Sequence, residues 1–151
     1  MAKMHEYPVT VAWSGGKGGA GRSDDSGHGV SVDLAVGKEF GGTGAGTNPE
    51  CLLAMAVASC YSITFGIIAE NRKIPISDFK VQAIGEVEEN GPQFTYKKIT
   101  IKSSIVLAPG TDAAQVKVAE DMAHKADNYC IITNAVRGKV EIVVEPKITI
   151  G

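Results

Sequence analysis

GGTGAGTNPECLLAMAVASCYSITFGIIAEN, residues 41–71, decides how this chain folds. Four glycines in the first six positions form an approach, and a helix start follows. Thr47 or Asn48 can cap it, Pro49 suits the first turn, and Glu50 complements the positive end of the helix dipole. Residues 51–69 are then dominated by Leu, Ala, Met, Val and Ile, interrupted by Ser59, Cys60, Ser62 and Thr64. A helix apolar on nearly all sides has to be buried. Cys60, its candidate nucleophile, is therefore expected inside the protein or inside an interface. Arg72 and Lys73 suit the negative terminus of the helix, and Pro75 prevents its continuation.

Upstream, residues 6–13 (EYPVTVAW) alternate as a strand does, with Pro8 tolerable near an edge. The glycine-dense SGGKGGAGRSDDSGHG reads as a loop or long turn. Residues 29–36 alternate again, and the two runs are expected to pair antiparallel across that loop. Downstream, residues 79–89 and 93–107 read as partner strands around the turn residues Asn90, Gly91 and Pro92. Ile99, Ile101, Ser103 and Ile105 share one face, with Lys98, Thr100 and Lys102 opposite. Residues 109–112 (PGTD) break that strand and cap a second helix over about 112–126, with an apolar stripe at Val116, Ala119, Met122, Ala123 and Ala126. Asp127 and Asn128 interrupt it and deliver Tyr129 and Cys130, and residues 139–150 form a last strand. Hairpins punctuated by helices give an α+β class with an antiparallel or mixed sheet of about five strands. One helix is too apolar to rest on that sheet with a wet outer face, which calls for a twofold partner, a homodimer.

The 151 residues fit one domain, 1–151. A net charge of -2 offers no electrostatic footprint for nucleic acid, and no basic run suits an anionic membrane. The apolar run 51–69 is of borderline length for a membrane span, but Glu50 and Glu70 fence it, so no membrane is expected. The opening MAKMHEYPVTVAW lacks the apolar core of a signal peptide, which points to the cytosol. Three cysteines without CxxC spacing favour thiol chemistry or simple burial over a disulfide framework. His5, His28 and His124 are scattered, so no metal is expected.

A free buried cysteine is ordinarily a small hydrophobe, and a cation nearby is what turns one into a nucleophile. Cys60 and Cys130 each carry that plain reading; together they are the layout of a reactive thiol and a resolving thiol. Cys51 lies on the face of the helix opposite Cys60, about 13 Å away along the axis, and is taken as structural. Glu50 caps the helix or grips a cation; about 15 Å of helix separates it from Cys60, so a shared site needs Glu50 from a second subunit. Lys17 and Arg22 are the cations of the glycine segment, a place where such side chains are usually solvated. Residues 16–23 mimic a phosphate-binding loop, but the strand pattern that follows them excludes it.

The run Gly46-Thr47-Asn48-Pro49-Glu50, then Ala58-Ser59-Cys60, and later Asn128-Tyr129-Cys130, resembles the OsmC/Ohr family of thiol-dependent hydroperoxide reductases. The order of elements is similar across nearly the whole chain. The resemblance implies an OsmC-like fold, a sheet packed on a long buried central helix in an intertwined homodimer. It implies Cys60 as peroxidatic thiol, Cys130 as resolving thiol and Glu50 as the carboxylate orienting a catalytic arginine. An ungapped count back from Ser23-Asp24-Asp25 puts Lys17 where the family has that arginine; Arg22 reaches it only by a shifted alignment. A lysine would keep the charge and lose the bidentate clamp. Tyr61-Ser62-Ile63 after Cys60 resembles the broader OsmC-like branch. The implied cycle reduces organic hydroperoxides, and hydrogen peroxide more weakly, through a Cys60 sulfenic acid and a Cys60–Cys130 disulfide. An external dithiol restores both thiols, with no bound cofactor. Walls from Leu53, Met55 and Phe65 would favour apolar substrates. The alternative is a redox-inert OsmC-like protein holding a small apolar ligand in the interface pocket.

Overall fold

Alternation of Val9, Val11 and Trp13 with Thr10 and Ala12 builds the first strand of the computed structural model, which describes residues 1–151. The chain is α+β and divides into two compact units, Met1–Leu52 and Leu53–Gly151.

In the first unit, β1 (Val9–Ser14), β2 (Ala20–Asp25) and β3 (Val30–Leu34) form an antiparallel sheet in the order β1-β2-β3. This corrects two expectations. The glycine segment is not one loop, because its middle is a strand; and β1 and the 29–36 run do not pair, because β2 lies between them. β2 reads AGRSDD and carries no apolar alternation, so its pairing rests on backbone hydrogen bonds that leave no signature in side-chain pattern. Gly21 sits opposite Trp13, and a Cβ on it would lie 2.6 Å from Trp13 Cε3, so the missing side chain makes room for the indole. Tight turns flank the strand, the second closed by Asp25, whose side chain accepts from Gly27 N at 3.0 Å. Asn48 caps the following helix, its Oδ1 accepting from Cys51 N at 2.8 Å.

That helix, α1 (Pro49–Asn71), runs 23 residues and enters the second unit. It ends where Lys73 turns left-handed, φ 54°, with Ile74 N donating to Ala69 O at 2.9 Å. Long hairpin strands β4 (Ile76–Asn90) and β5 (Gln93–Leu107) follow, joined by Gly91 and Pro92. α2 (Ala113–Lys125) is capped by Asp112, which accepts from Gln115 N at 2.8 Å. A 3-10 turn over Ala126–Tyr129 leads to α3 (Ile131–Val136), and β6 (Glu141–Ile150) returns parallel to β5. The helical crossover is what a parallel neighbour requires. Six strands in two sheets thus replace the expected single sheet of about five, and α3 was not foreseen. Pro146 is tolerated because β6 is an edge.

The core forms on one face of the second sheet. Ile99, Ile101, Ser103, Ile105 and Leu107 of β5 are buried, the alternation that the sequence shows. Each of those Ile and Leu side chains stabilises by about 1.5–3 kcal/mol relative to exposure. Val57, Tyr61, Phe65 and Ala69, one per turn, are the stripe of α1 buried with them, and Ala119 and Ala123 come from α2. Phe65 meets Phe79 of β4 at a ring separation of 5.0 Å. The Tyr61 hydroxyl donates to Ala123 O at 2.6 Å and lies 3.3 Å from Ser103 Oγ. The other faces of α1 stay open within one chain, with Met55, Ile63 and Ile67 at 54%, 64% and 54% exposure. By length and composition α1 could cross a membrane, a property that core helices share.

Phe65→Ala is expected to cost about 3–5 kcal/mol through the cavity it leaves. Tyr61→Phe should cost about 1–2 kcal/mol through the lost hydroxyl bonds. Urea unfolding measures both, and equal costs would refute this account of how α1 is held.

Candidate active site

Cys60 precedes Tyr61 by one residue, so it points about 100° around the helix from the buried stripe. It is half-buried and lines a cleft of about 610 Å³. Further walls come from Ile63, Thr64 and Ile67 along the same face of α1, and from Tyr129 and Ile131 across the opening. The expected walls need correcting here. Phe65 belongs to the closed core, and neither Leu53 nor Met55 lines the cleft. The four-residue step that buries Phe65 with Tyr61 turns Ile63 and Ile67 toward the opening instead.

Cys130 is completely buried and stands at the N-cap of α3, its sulfur accepting from Thr133 N at 3.3 Å. Its thiol lies near enough to that of Cys60 for each to bear on the other's proton. Seventy residues apart in sequence, the two thiols are therefore neighbours, both in the second unit. Burial, and next the nearby Cys60 thiol, push the Cys130 thiol above the ordinary range, while Thr133 pulls the other way. Cys130 thus keeps its proton where a free thiol begins to lose it.

A clamp that the sequence did not reveal holds Cys130 in place. Arg137 Nη2 pairs with Asp127 Oδ2 at 2.9 Å and also donates to Asp127 O at 3.2 Å. Arg137 Nε donates to Asn134 Oδ1 at 3.1 Å, and Asn134 Nδ2 to Asn128 O at 2.9 Å. Asp127, buried, also accepts from Cys130 N through its carbonyl at 3.2 Å. Opposite charges bracketing a cysteine were the available signal, but only the 3-10 turn, the extended Cys130 and α3 together make them meet.

The remaining candidates lie in the first unit. Glu50 occupies the first turn of α1, about 15 Å from Cys60 along the axis. Lys17, in the β1–β2 turn, lies over Gly41, where a Cβ would be 3.3 Å from Lys17 Cδ. Gly41 has φ 78°, so glycine serves both the turn and the lysine. Arg22 is engaged on the sheet: its Nη1 meets Asp33 Oδ1 at 2.8 Å, its Nε lies 3.8 Å from Asp24, and Ser31 Oγ accepts from Nη2. Cys51 is exposed. No group of three or more His, Cys, Asp or Glu side chains converges in a way that could hold a metal ion.

Residues 42–145 match the family described as OsmC-like protein. The chain is 32% identical to the uncharacterized protein YmaD of Bacillus subtilis (strain 168), covering 100% of this chain and 99% of that protein. It is 28% identical to the organic hydroperoxide resistance protein of Xanthomonas axonopodis pv. citri, over 95% of this chain and 98% of that one. In fold it is similar to an OsmC-like protein of unknown function from Vibrio cholerae, with TM-score 0.79, 21% identity, and 95% and 100% of the two chains covered. The organic hydroperoxide resistance protein OhrB of Bacillus subtilis aligns with TM-score 0.65 at 24% identity, over 93% and 98%.

In the reduced protein, iodoacetamide near pH 8 should label Cys60 and spare Cys130, with peptide mass mapping as the readout. Labelling of Cys130 should start only above the ordinary thiol range. Tyr61 is raised as well, by burial first. Both groups hold protons in the folded state that the unfolded chain has released. Stability should therefore be intact below the ordinary thiol and phenol ranges and fall as pH rises through them. A urea midpoint that rises between pH 8 and pH 10 would contradict this.

Proposed function

The chain belongs to the family of OsmC-like proteins, and from that premise we propose that it is a thiol-dependent peroxidase acting on organic hydroperoxides. The observation that carries the reading is the neighbouring pair of Cys60 and Cys130, one sulfur facing an apolar cleft and the other sealed from solvent. The Cys60 thiolate attacks the distal oxygen of ROOH. The O–O bond breaks, the alcohol leaves after taking a proton, and Cys60 becomes a sulfenic acid. The Cys130 sulfur then attacks the Cys60 sulfur, water leaves, and a disulfide forms. An external dithiol reduces it, which suits a reducing compartment such as the cytosol. The apolar walls favour alkyl and aryl hydroperoxides over hydrogen peroxide.

The same proposal assigns the activating charge to Lys17 rather than Arg22, because Arg22 is already engaged by Asp33. It assigns a second copy of the chain to the open faces of α1, where Met55 and Ile63 would otherwise leave apolar surface in water. Glu50 of that copy would orient the lysine. A lysine gives a weaker grip than a guanidinium fork. That observation favours the second reading, a redox-inert protein using the cleft for a small apolar ligand.

With one equivalent of cumene hydroperoxide, mass spectrometry should find a Cys60–Cys130 disulfide that Cys60→Ser abolishes. Oxidation of Cys60 no faster than of free cysteine would remove the peroxidase reading. Lys17→Ala should slow Cys60 oxidation at least about tenfold, and Arg22→Ala should slow it less. Native mass measurement should find a dimer, and a monomer at micromolar concentration would remove the assignment of a second copy.

A further inference from the structure

One enclosed polar group has no task in this cycle. Thr133 is 0% exposed, and its hydroxyl makes no hydrogen bond. Such a group normally finds a partner, because leaving it without one destabilises the fold. Ser59 and Ser62 of α1 show the usual outlet, each donating at 2.7 Å to the carbonyl four residues back, Met55 O and Ala58 O. Thr133 has no such outlet. It is the third residue of α3, so the residue four back, Tyr129, lies outside that helix, beyond the extended backbone of Cys130.

What lies beside it is the sulfur of Cys130. The Thr133 N–H already donates to that sulfur, and the hydroxyl is close enough to favour its thiolate. A neutral thiol is a weak acceptor, so the hydroxyl gains little from it. A sulfur carrying negative charge is a strong acceptor, and its hydrogen bonds are about twice as strong. In the proposed cycle Cys130 carries full charge at one moment, when the disulfide breaks and leaves the electron pair on it. Burial makes Cys130 a poorer leaving sulfur than a free thiol, and the two Thr133 donors offset that penalty. Access agrees with this direction, because Cys60 borders the cleft and Cys130 is sealed.

We propose that Thr133 makes Cys130 the leaving sulfur, so that an incoming dithiol attacks Cys60 and not Cys130; this rests on the disulfide of the peroxidase reading. A thiolate of the reductant bonds to the Cys60 sulfur, and the Cys60–Cys130 bond breaks with its electrons on Cys130. Thr133 N–H and O–H both donate to that thiolate. The reductant's second thiol passes its proton to Cys130 and attacks the mixed disulfide. Cys60 leaves as thiolate, and the reductant departs as its own disulfide, two electrons having passed to the protein.

The test bypasses hydroperoxide. In a Cys51→Ser background, the Cys60–Cys130 disulfide is formed with diamide and its reduction by dithiothreitol is followed at fixed pH. Thr133→Val should slow reduction at least about tenfold, the scale of one hydrogen bond to a charged group. Thr133→Ser should restore the rate. The melting temperature of reduced Thr133→Val should equal or exceed that of the parent, because a methyl replaces a buried hydroxyl without a partner. A rate loss together with undiminished stability separates this role from a merely structural one. Glutathione, acid-quenched during reduction, should be found on Cys60. Equal rates for the Val variant and the parent, glutathione on Cys130, or no disulfide with diamide would each overturn the proposal. If cumene hydroperoxide fails to oxidise Cys60 while the Val variant still slows reduction, the peroxidase reading falls and the leaving-group role of Thr133 stands.

Discussion

The rotation of α1 about its own axis is the constraint on which the site depends. Tyr61 sets it. Its ring lies in the core beside Phe65, and its hydroxyl reaches Ala123 O at 2.6 Å, tying α1 to α2. Any other rotation of α1 would bury that hydroxyl without a partner or lift Phe65 off Phe79. With Tyr61 fixed, Cys60 has no choice of direction: the preceding residue of a helix points about 100° away, out of the core and toward the cleft. A side chain that looks like filler therefore aims the Cys60 sulfur.

Cys130 reaches the same place by a different route. The chain leaves β5, crosses over through α2 and α3, and returns parallel as β6. The link between the two helices is a single 3-10 turn, tied by Asp127, Asn128, Asn134 and Arg137. Because the pair Asp127–Arg137 is partly buried, removing either partner would leave the other's charge uncompensated. Such pairs act more as positional devices than as sources of net stability. Here the position secured is that of a sulfur. Burial keeps that sulfur protonated, which suits a thiol that waits its turn.

Much of this was legible beforehand because it follows from periodicity or local chemistry. The bounds of β5 follow from alternation of Ile99, Ile101, Ser103 and Ile105, and α2 from its cap at Asp112 and its alanine stripe. β2 was not legible, since Gly21, Arg22, Ser23, Asp24 and Asp25 bury no apolar face and pair through their backbone alone. The clamp at Arg137 and the orphaned hydroxyl of Thr133 were hidden for a related reason. Each is defined by what stands next to it in space, and α3 is too short to announce itself by a repeating pattern.

By itself the sequence singled out the candidates for chemistry: Cys60 and Cys130, a capped apolar helix holding the first of them, and the run Gly46–Glu50 that resembles its family. Those are properties of residue type and spacing, readable along one dimension. Only the tertiary structure decided that Cys60 and Cys130 are neighbours, that Arg22 is held by Asp33, and that the Thr133 hydroxyl is enclosed without a partner. Contacts across a sheet or a crossover depend on register and helix rotation. Both come from the packing of the whole core, and no local stretch encodes them.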